Sequence, residues 1–381
     1  MANIIVLGGG MVGGAMAIDL AKQHSVTRAD RDEMALQRLS QRCPGLTTSP
    51  LDVTDTEQLA GTLAPFDLVI CAVPGFLGFQ TLQQIIRAGK NVVDISFFPE
   101  DSLALDELAR DHGVTAIVDC GVAPGMTNVL LGYYDQKLRI SDYECLVGGL
   151  PKEKRWPFEY KAPFSPVDVI EEYTRPARYV ENGEMVTMPA LSDLEQVEFE
   201  EVGTLESFNS DGLRTLCFTM PHIPNMKEKT LRYPGHVDKI RILRETGFFD
   251  TDPVAMNGTQ VTPLEFTSRI LFDDWKLGDT EEEFTIMKVS IKGRDAEGNG
   301  REVTSILFDE YDPQTETSSM ARTTGYTATA AANMFLDGKF SGKGIFPPEK
   351  VGQAPGCCEY MLAYLAERGV HYSTVENETS A

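Results

Sequence analysis

The chain has 381 residues, 42% hydrophobic and 24% charged, with 57 acidic against 34 basic side chains and a net charge of −23. That length suits two lobes, because single cores stop growing at roughly 250 to 300 residues. The acidic balance repels a phosphate backbone and leaves no basic stripe, which excludes nucleic acid as a partner, and no apolar run approaches the ~20 residues of a membrane span.

The N-terminus, MANIIVLGGG, carries neither a basic n-region nor a cleavage site, so the expected location is cytoplasmic. Seven cysteines without a C-x-x-C pair point to reduced thiols. Five scattered histidines (His24, His112, His222, His236 and His371), none paired at i, i+4, give no metal-ligand constellation, and no metal is expected.

The first predicted strand, NIIVLG, runs into Gly8, Gly10 and Gly13, a G-x-G-x-x-G spacing that opens the helical pattern MVGGAMAIDLAKQ. Strand before and helix after make this a dinucleotide fingerprint. Gly8 permits the turn, Gly10 lets backbone approach a pyrophosphate, and Gly13 allows helix to pack on strand; Met11 and Val12 sit in the same turn and join the expected cofactor contacts. The second strand, SVTRADRD, ends on Asp30, placed to accept a ribose 2′-OH, which favours NAD. Arg28 and Arg31 keep NADP open, since either guanidinium could turn to the adenosine end and accept a 2′-phosphate. A short third strand ends near Leu51 and Asp52, where Asp52 either reaches the adenine edge or caps TDTEQLAGTL.

The continuous apolar run FDLVICAVPG reads as a buried parallel strand whose end, Ala72, Val73 and Pro74, leaves room for a ribose. Helix FQTLQQIIRAG, strand NVVDIS, helix SLALDELARDHG and strand VTAIVDCG follow. Six strands alternating with helices wind into a Rossmann sheet, whose ligand lies beyond the carboxyl ends of the strands. VDCGVAPGMTN, Val118 to Asn128, is such an end. Gly121, Val122 and Gly125 leave backbone bare enough to lie beside a nicotinamide, Pro124 starts the next helix, and that helix's free N–H groups can hold a polar group. A domain-boundary hinge that needs glycine is the other reading of the same stretch.

Beyond MTNVLLGYYDQKL the pattern changes. DYECLVGGLP is a strand entering a Gly-Gly-x-Pro turn, and EFTIMKVSIKGRDAEGNGREVTSILFDEY is a hairpin around DAEGNG, so the second lobe is expected to be α+β on an antiparallel sheet with one face open. The small-residue helix SSMARTTGYTATAAANMFLDG is expected to return to the first lobe, and ENETSA to be disordered. The expected division is 1–125 for dinucleotide binding, 126–320 for substrate binding and oligomerisation, and 321–381 for C-terminal helices packing back on the Rossmann domain.

DCGVAPGMTN, VGGLP, FEYKAPFSPVDVIEEYT, PALSDLEQVEFE, GTLESFNSDGLRTL, KTLRYPGHVDKIRIL, MARTTGYT and GIFPPE run in order from Val118 to Glu349. Together they make the sequence resemble the saccharopine dehydrogenase-like oxidoreductases, most of all the lysine ε-dehydrogenases. The resemblance implies NAD(P) in the first lobe, an amino-acid substrate between the lobes, and a homo-oligomer, dimer or tetramer, associating through the second lobe's sheet. Saccharopine reductases typically carry Asp where this sequence has Ala123, and Cys where it has Val147. Both departures lean toward oxidative deamination of a terminal amine, of L-lysine or a similar basic amino acid. The alternatives are a condensing reductase of the saccharopine or carboxyspermidine type and a dinucleotide sensor without turnover.

Amine oxidation needs a hydride acceptor, a neutral amine and water. Asp119, at the strand tip, is a candidate to hold the amine or relay its proton, or else a loop-locking carboxylate. His236 has a suitable unperturbed pKa, or else is structural beside a Pro-Gly turn. For substrate, Arg232 is the candidate clamp for an α-carboxylate and Asp211 for an α-ammonium, with Gly149, Tyr160, Lys161 and Asn209 as further contacts from the segments that carry the resemblance. Cys120 has no basic neighbour in sequence and reads as a buried hydrophobe.

Overall fold

The computed structural model describes residues 1–8, 10–43, 45–162, 166–278 and 280–379. The chain divides into two units: Met1–Ile140 with Ile291–Val303 and Met320–Ala381, and Ser141–Ser290 with Thr304–Ser319.

In the first unit, strands β1 (Asn3–Leu7), β2 (Ser25–Asp30), β3 (Thr47–Pro50), β4 (Leu68–Cys71), β5 (Asn91–Asp94) and β6 (Thr115–Ile117) alternate with helices α1 (Met11–Leu20), α2 (Glu33–Arg42), α3 (Thr56–Leu63), α4 (Gly75–Arg87) and α5 (Asp106–Asp111), and α6 (Met126–Asp135) follows. The six strands stand in the order 3-2-1-4-5-6, that of a dinucleotide-binding sheet, and every pair is parallel. Near-continuous apolar strands such as β4 (LVIC) are what a sheet covered on both faces requires. Each fully buried Leu, Ile or Val there contributes roughly 1.5–3 kcal/mol.

The second unit contains the long strand β7 (Arg139–Pro151), helix α7 (Pro166–Thr174), strands β8 (Ala177–Glu181), β9 (Glu184–Met188), β10 (Glu195–Phe199) and β11 (Gly203–Asn209), helix α8 (Leu216–Thr219), strand β12 (Asn225–Arg232), helix α9 (His236–Glu245), the ribbon β13 (Val254–Met256) with β14 (Thr259–Val261), helix α10 (Pro263–Trp275), and strands β15 (Glu283–Arg294) and β16 (Gly300–Glu310). The chain then forms α11 (Ser319–Leu336), β17 (Gly344–Phe346), α12 (Pro348–Gly352), α13 (Cys357–Ala366) and β18 (Tyr372–Thr379) in the first unit. The large sheet runs β10-β11-β12-β7-β15-β16-β18.

Three expectations are corrected. The sheet is mixed, because β12 pairs with β7 in parallel, Asn225 beside Asp142 through Thr230 beside Val147. The VGGLP segment is no turn; β7 runs straight through it, with Gly148 flat against Leu231, whose carbonyl oxygen would lie 2.7 Å from an added Cβ. ENETSA is mostly ordered: residues 376–379 belong to edge strand β18, where Glu376 accepts from Tyr134 Oη at 2.7 Å and Glu378 from Arg301 Nη1 at 2.9 Å, while Ser380 and Ala381 lie outside the described residues.

The C-terminal segment packs into the first unit. β17 pairs with β6 and extends the parallel sheet to seven described strands. Helix α11 lies on α1 through Gly325, whose added Cβ would come within 3.2 Å of Met16, and through the buried carboxylate of Asp19. That carboxylate accepts from Arg368 Nε at 2.8 Å and from Thr329 Oγ1 and Tyr364 Oη at 2.7 Å each. α12 crosses α6 so closely that an added Cβ on Gly132 would lie 2.0 Å from the Glu349 carbonyl oxygen.

Candidate functional site

The glycine turn after β1 is a cradle. Gly8 holds φ +115°, and an added Cβ would lie 2.2 Å from the Ala72 carbonyl oxygen; one on Gly13 would lie 2.4 Å from the Gly8 carbonyl oxygen. Neither position admits a side chain. Gly10 differs: it is the N-cap of α1, no side chain caps the helix, and the space before its Cα is open for 4 Å among the described residues. The first-turn N–H groups, with Met11 and Val12 only partly buried and no acid in that turn, suit a phosphate anion.

Arg28 is buried under this loop, its Nε and Nη2 each 3.4 Å from the carbonyl oxygens of Gly8 and Gly10. It braces the turn, and its charge is also felt by Asp30 and Asp32 at the end of β2. Burial lowers its pKa to about 10, which leaves it a cation beneath the anion site. Asp30 ends β2 half-buried and accepts the Asp32 N–H at 2.7 Å, and Arg31 is exposed beside it. Asp52 accepts from Thr54 N and Oγ1 at 2.9 and 2.7 Å, hydrogen bonds that pull its pKa down. It closes a turn; the cap of α3 is Asp55, which accepts the Gln58 N–H at 3.0 Å. A dinucleotide fits these residues: open backbone at Gly10, an uncapped helix and a carboxylate at the end of β2.

Ala72, Val73 and Pro74 lead from β4 into α4, with Ala72 N held by the Leu7 carbonyl at 2.8 Å. Beside them β5 ends in Asp94, and the stretch after β6 carries Asp119, at φ +51° and 4% exposed. The glycines beyond serve their own loop: an added Cβ on Gly125 would lie 1.8 Å from the Gly121 carbonyl oxygen. Helix α6 starts at Met126, two residues beyond Pro124, and its first N–H groups are taken by the carbonyls of Gly121 and Val122 at 2.9 and 3.1 Å. They hold no external polar group. Gly121 also abuts Thr324 of α11, 3.4 Å from Cγ2 to an added Cβ, and Thr324 is partly exposed between buried neighbours. Cys120 is buried against the Thr327 carbonyl, and burial pushes its thiol far up, so it is no nucleophile.

The second unit joins three of the remaining candidates, Tyr160, Arg232 and His236, in one buried network. Arg232 is 2% exposed; its Nη2 donates to Glu172 Oε2 at 2.8 Å, its Nε to Tyr173 Oη at 3.1 Å and its Nη1 to the Leu231 carbonyl at 2.9 Å. Its guanidinium carbon stands 4.4 Å over the Tyr160 ring. Burial disfavours the charge, but Tyr160, Tyr173 and Glu172 outweigh it, and Arg232 stays a cation. A substrate carboxylate would have to displace Glu172, so the fork assigned to it is already engaged.

His236 opens α9, with Nδ1 2.9 Å from the Phe158 carbonyl and Nε2 2.9 Å from Tyr173 Oη. A carbonyl only accepts, so Nδ1 carries the proton and Nε2 accepts from the tyrosine. Burial, then the Arg232 charge, lowers its pKa to about 3. The ring is neutral across the working range and sealed at 0% exposure, which removes it as a proton acceptor. Asp211 is held bidentately by Arg178, Nε and Nη2 both at 2.8 Å, so an ammonium has no free carboxylate there. Asn209 is buried and donates to Ser192 Oγ at 3.2 Å; Lys161 donates to the Asp274 carbonyl; Gly149 is buried in β7.

Residues 4–117 match the saccharopine dehydrogenase NADP binding domain, and residues 121–370 the saccharopine dehydrogenase C-terminal domain. The chain belongs to the saccharopine dehydrogenase family. It is an NAD(P)-dependent oxidoreductase of that family, and residues 4–117 are its NAD(P)-binding domain. Carboxyaminopropylagmatine dehydrogenase of Synechocystis sp. is 23% identical over 99% of this chain and 98% of that one. The NADP(+), L-glutamate-forming saccharopine dehydrogenase of Pyricularia oryzae is 25% identical over 65% of this chain and 57% of its own. Among solved structures, apo saccharopine dehydrogenase (L-Glu forming) of Saccharomyces cerevisiae superposes with a TM-score of 0.79 at 21% identity, covering all of both chains. No described helix is long and apolar enough to cross a membrane.

Three groups escaped the sequence reading. Glu172 and Tyr173 stand in the sequence only as part of a motif, and the structure brings them to Arg232 and His236. Thr324 had a signal, the MARTTGYT phrase, without a partner. Asp94 closes the run NVVDIS, where an acid at the end of a buried apolar strand was the available sign.

Proposed function

We propose that this family member oxidises the CH–NH2 group of an amino acid, removing the terminal amine of L-lysine or a similar basic amino acid with NAD as acceptor. The observation that carries the reading is the pair Ala123 and Val147, standing where saccharopine reductases typically have Asp and Cys, within a chain that keeps the rest of the family pattern.

Bound NAD(P) supplies the hydride acceptor, and the chain's residues do the rest. The turn at Gly8, Gly10 and Gly13, with the N-terminus of α1, holds the diphosphate, and Asp30 meets the ribose. Asp119, at the strand tip, takes the proton of the substrate ammonium; His236, neutral and enclosed, does not compete for that role. The test is reduction of NAD by lysine and by a panel of amines, in the wild type and in Asp119→Asn. Turnover by lysine, lost in the variant, supports the reading; turnover unchanged in the variant removes Asp119.

A second reading rests on a specific observation. The Synechocystis and Pyricularia relatives are named for substrates built from an amine and a carbonyl compound, which favours a condensing reductase. Consumption of reduced cofactor with a 2-oxo acid plus an amine, in the absence of lysine-dependent reduction, would establish it. A homo-oligomer is expected under either reading, and light scattering tests it.

A further inference from the structure

Arg28 is a charged side chain in a place that covered parallel sheets fill with apolar ones. It lies inside β2 beside Val6 of β1 and is 3% exposed. A guanidinium is expensive to enclose unless polar groups meet it. Its hydrogen-bond partners are two backbone oxygens of the glycine turn: Nε reaches the Gly8 carbonyl and Nη2 the Gly10 carbonyl, each at 3.4 Å. At that length each contact is weak as a directed bond, so the positive charge carries the larger share.

The Gly10 oxygen ties Arg28 to helix α1. It also accepts the Gly14 N–H at 3.0 Å, the hydrogen bond that starts the helix. The Gly10–Met11 peptide is planar and trans, so a carbonyl held toward the helix and Arg28 turns the Met11 N–H the opposite way, out of the helix's N-terminus, where the space at Gly10 is open among the described residues. Gly8 is fixed at the other end of the turn, its N–H donating to the Ala29 carbonyl at 2.9 Å while its own carbonyl faces Arg28. A chain of net charge −23 repels an anion over most of its surface. Here the first turn of α1 holds no acid, and an enclosed cation stands behind it.

We propose that Arg28 is a positioning residue for the cofactor's diphosphate: it fixes the Gly10 peptide so that α1 presents its N–H groups to the anion, and it supplies positive charge behind them. This rests on the reading that the N-terminus of α1 holds the diphosphate. Arg28 acts through the backbone of the turn, and because its charge is enclosed, salt screens it less than it would a surface lysine.

The test is a ligand-observed NMR titration with ADP and with adenosine, at low and at high salt, in the wild type, Arg28→Gln and Arg28→Lys. ADP carries the diphosphate and adenosine lacks it, so the ratio of their affinities reads the anion site. The wild type is expected to prefer ADP at least about tenfold and to keep most of that preference at high salt. Arg28→Gln, which is neutral, is expected to lose about tenfold of the preference while adenosine binds as before, and Arg28→Lys, charged but without the fork, about threefold. A preference unchanged in Arg28→Gln overturns the proposal, as does equal weakening of ADP and adenosine, which would mark Arg28 as a brace of the fold alone. If Arg28→Gln does not fold, Arg28→Lys decides in the same terms. A wild type that binds adenosine as tightly as ADP takes the diphosphate off α1 and the role of Arg28 with it; a wild-type preference that both variants keep removes Arg28 and leaves the diphosphate where it is.

Discussion

Replacing His236 by Gln changes how stability depends on pH, by an amount the structure sets. The unfolded histidine titrates at 6.5 and the folded one at about 3, so between those values the unfolded state binds a proton that the folded state refuses. Stability contributed by the neutral ring is therefore whole above pH 6.5 and falls with decreasing pH, with a limiting slope of about 1.4 kcal/mol per unit. From pH 7 to pH 5 the wild type loses about 2 kcal/mol through this residue alone, while His236→Gln loses none of that share. Urea unfolding followed by tryptophan fluorescence reads it, because Trp275 is buried with its ring centroid 6.5 Å from that of His236. The variant's absolute stability does not matter; the difference between the two curves does. Parallel curves from pH 7 to pH 5 would refute the account of a neutral, doubly hydrogen-bonded ring.

Asp19→Asn strips the charge that faces Arg368 inside the first unit, and calorimetry is expected to show a loss of about 3 kcal/mol or more, as for other buried pairs broken from one side. Gly10→Ala, at a site with open space and an ordinary φ, is expected to melt like the wild type yet bind NAD at least about tenfold more weakly, whereas Gly13→Ala lowers both stability and binding. Fluorescence titration with reduced cofactor and thermal melts separate the two. Asp30→Ser is expected to shift the kcat/KM preference from NAD toward NADP, and an unchanged ratio would place the ribose elsewhere.

The first unit was legible because its signals are local. Gly8, Gly10 and Gly13 stand within six residues, and strands such as FDLVIC declare their burial by composition. The strand GIF escaped because three residues carry no period, and its place beside β6 depends on a segment more than 200 residues distant. The parallel match of β7 with β12 is equally invisible, since alternation fixes which face a residue takes and not its neighbour's direction. At the site, the limit was pairing. Arg232, His236 and Asp211 are chemically suited to substrate, but Glu172, Tyr173 and Arg178 claim them across 60, 63 and 33 residues. A sequence names the groups; only packing tells which are already engaged. Asp119, at the strand tip after β6, is the residue to which the proposed reaction assigns the proton.

The measurement that bears most directly on the central claim is near-ultraviolet absorbance of the nicotinamide when the protein is mixed with NAD or NADP and a panel of amines and amino acids, lysine first. The account predicts reduced cofactor with lysine and NAD. Cofactor that binds, yet is neither reduced by any amine nor oxidised from its reduced form by a 2-oxo acid plus an amine, would contradict it.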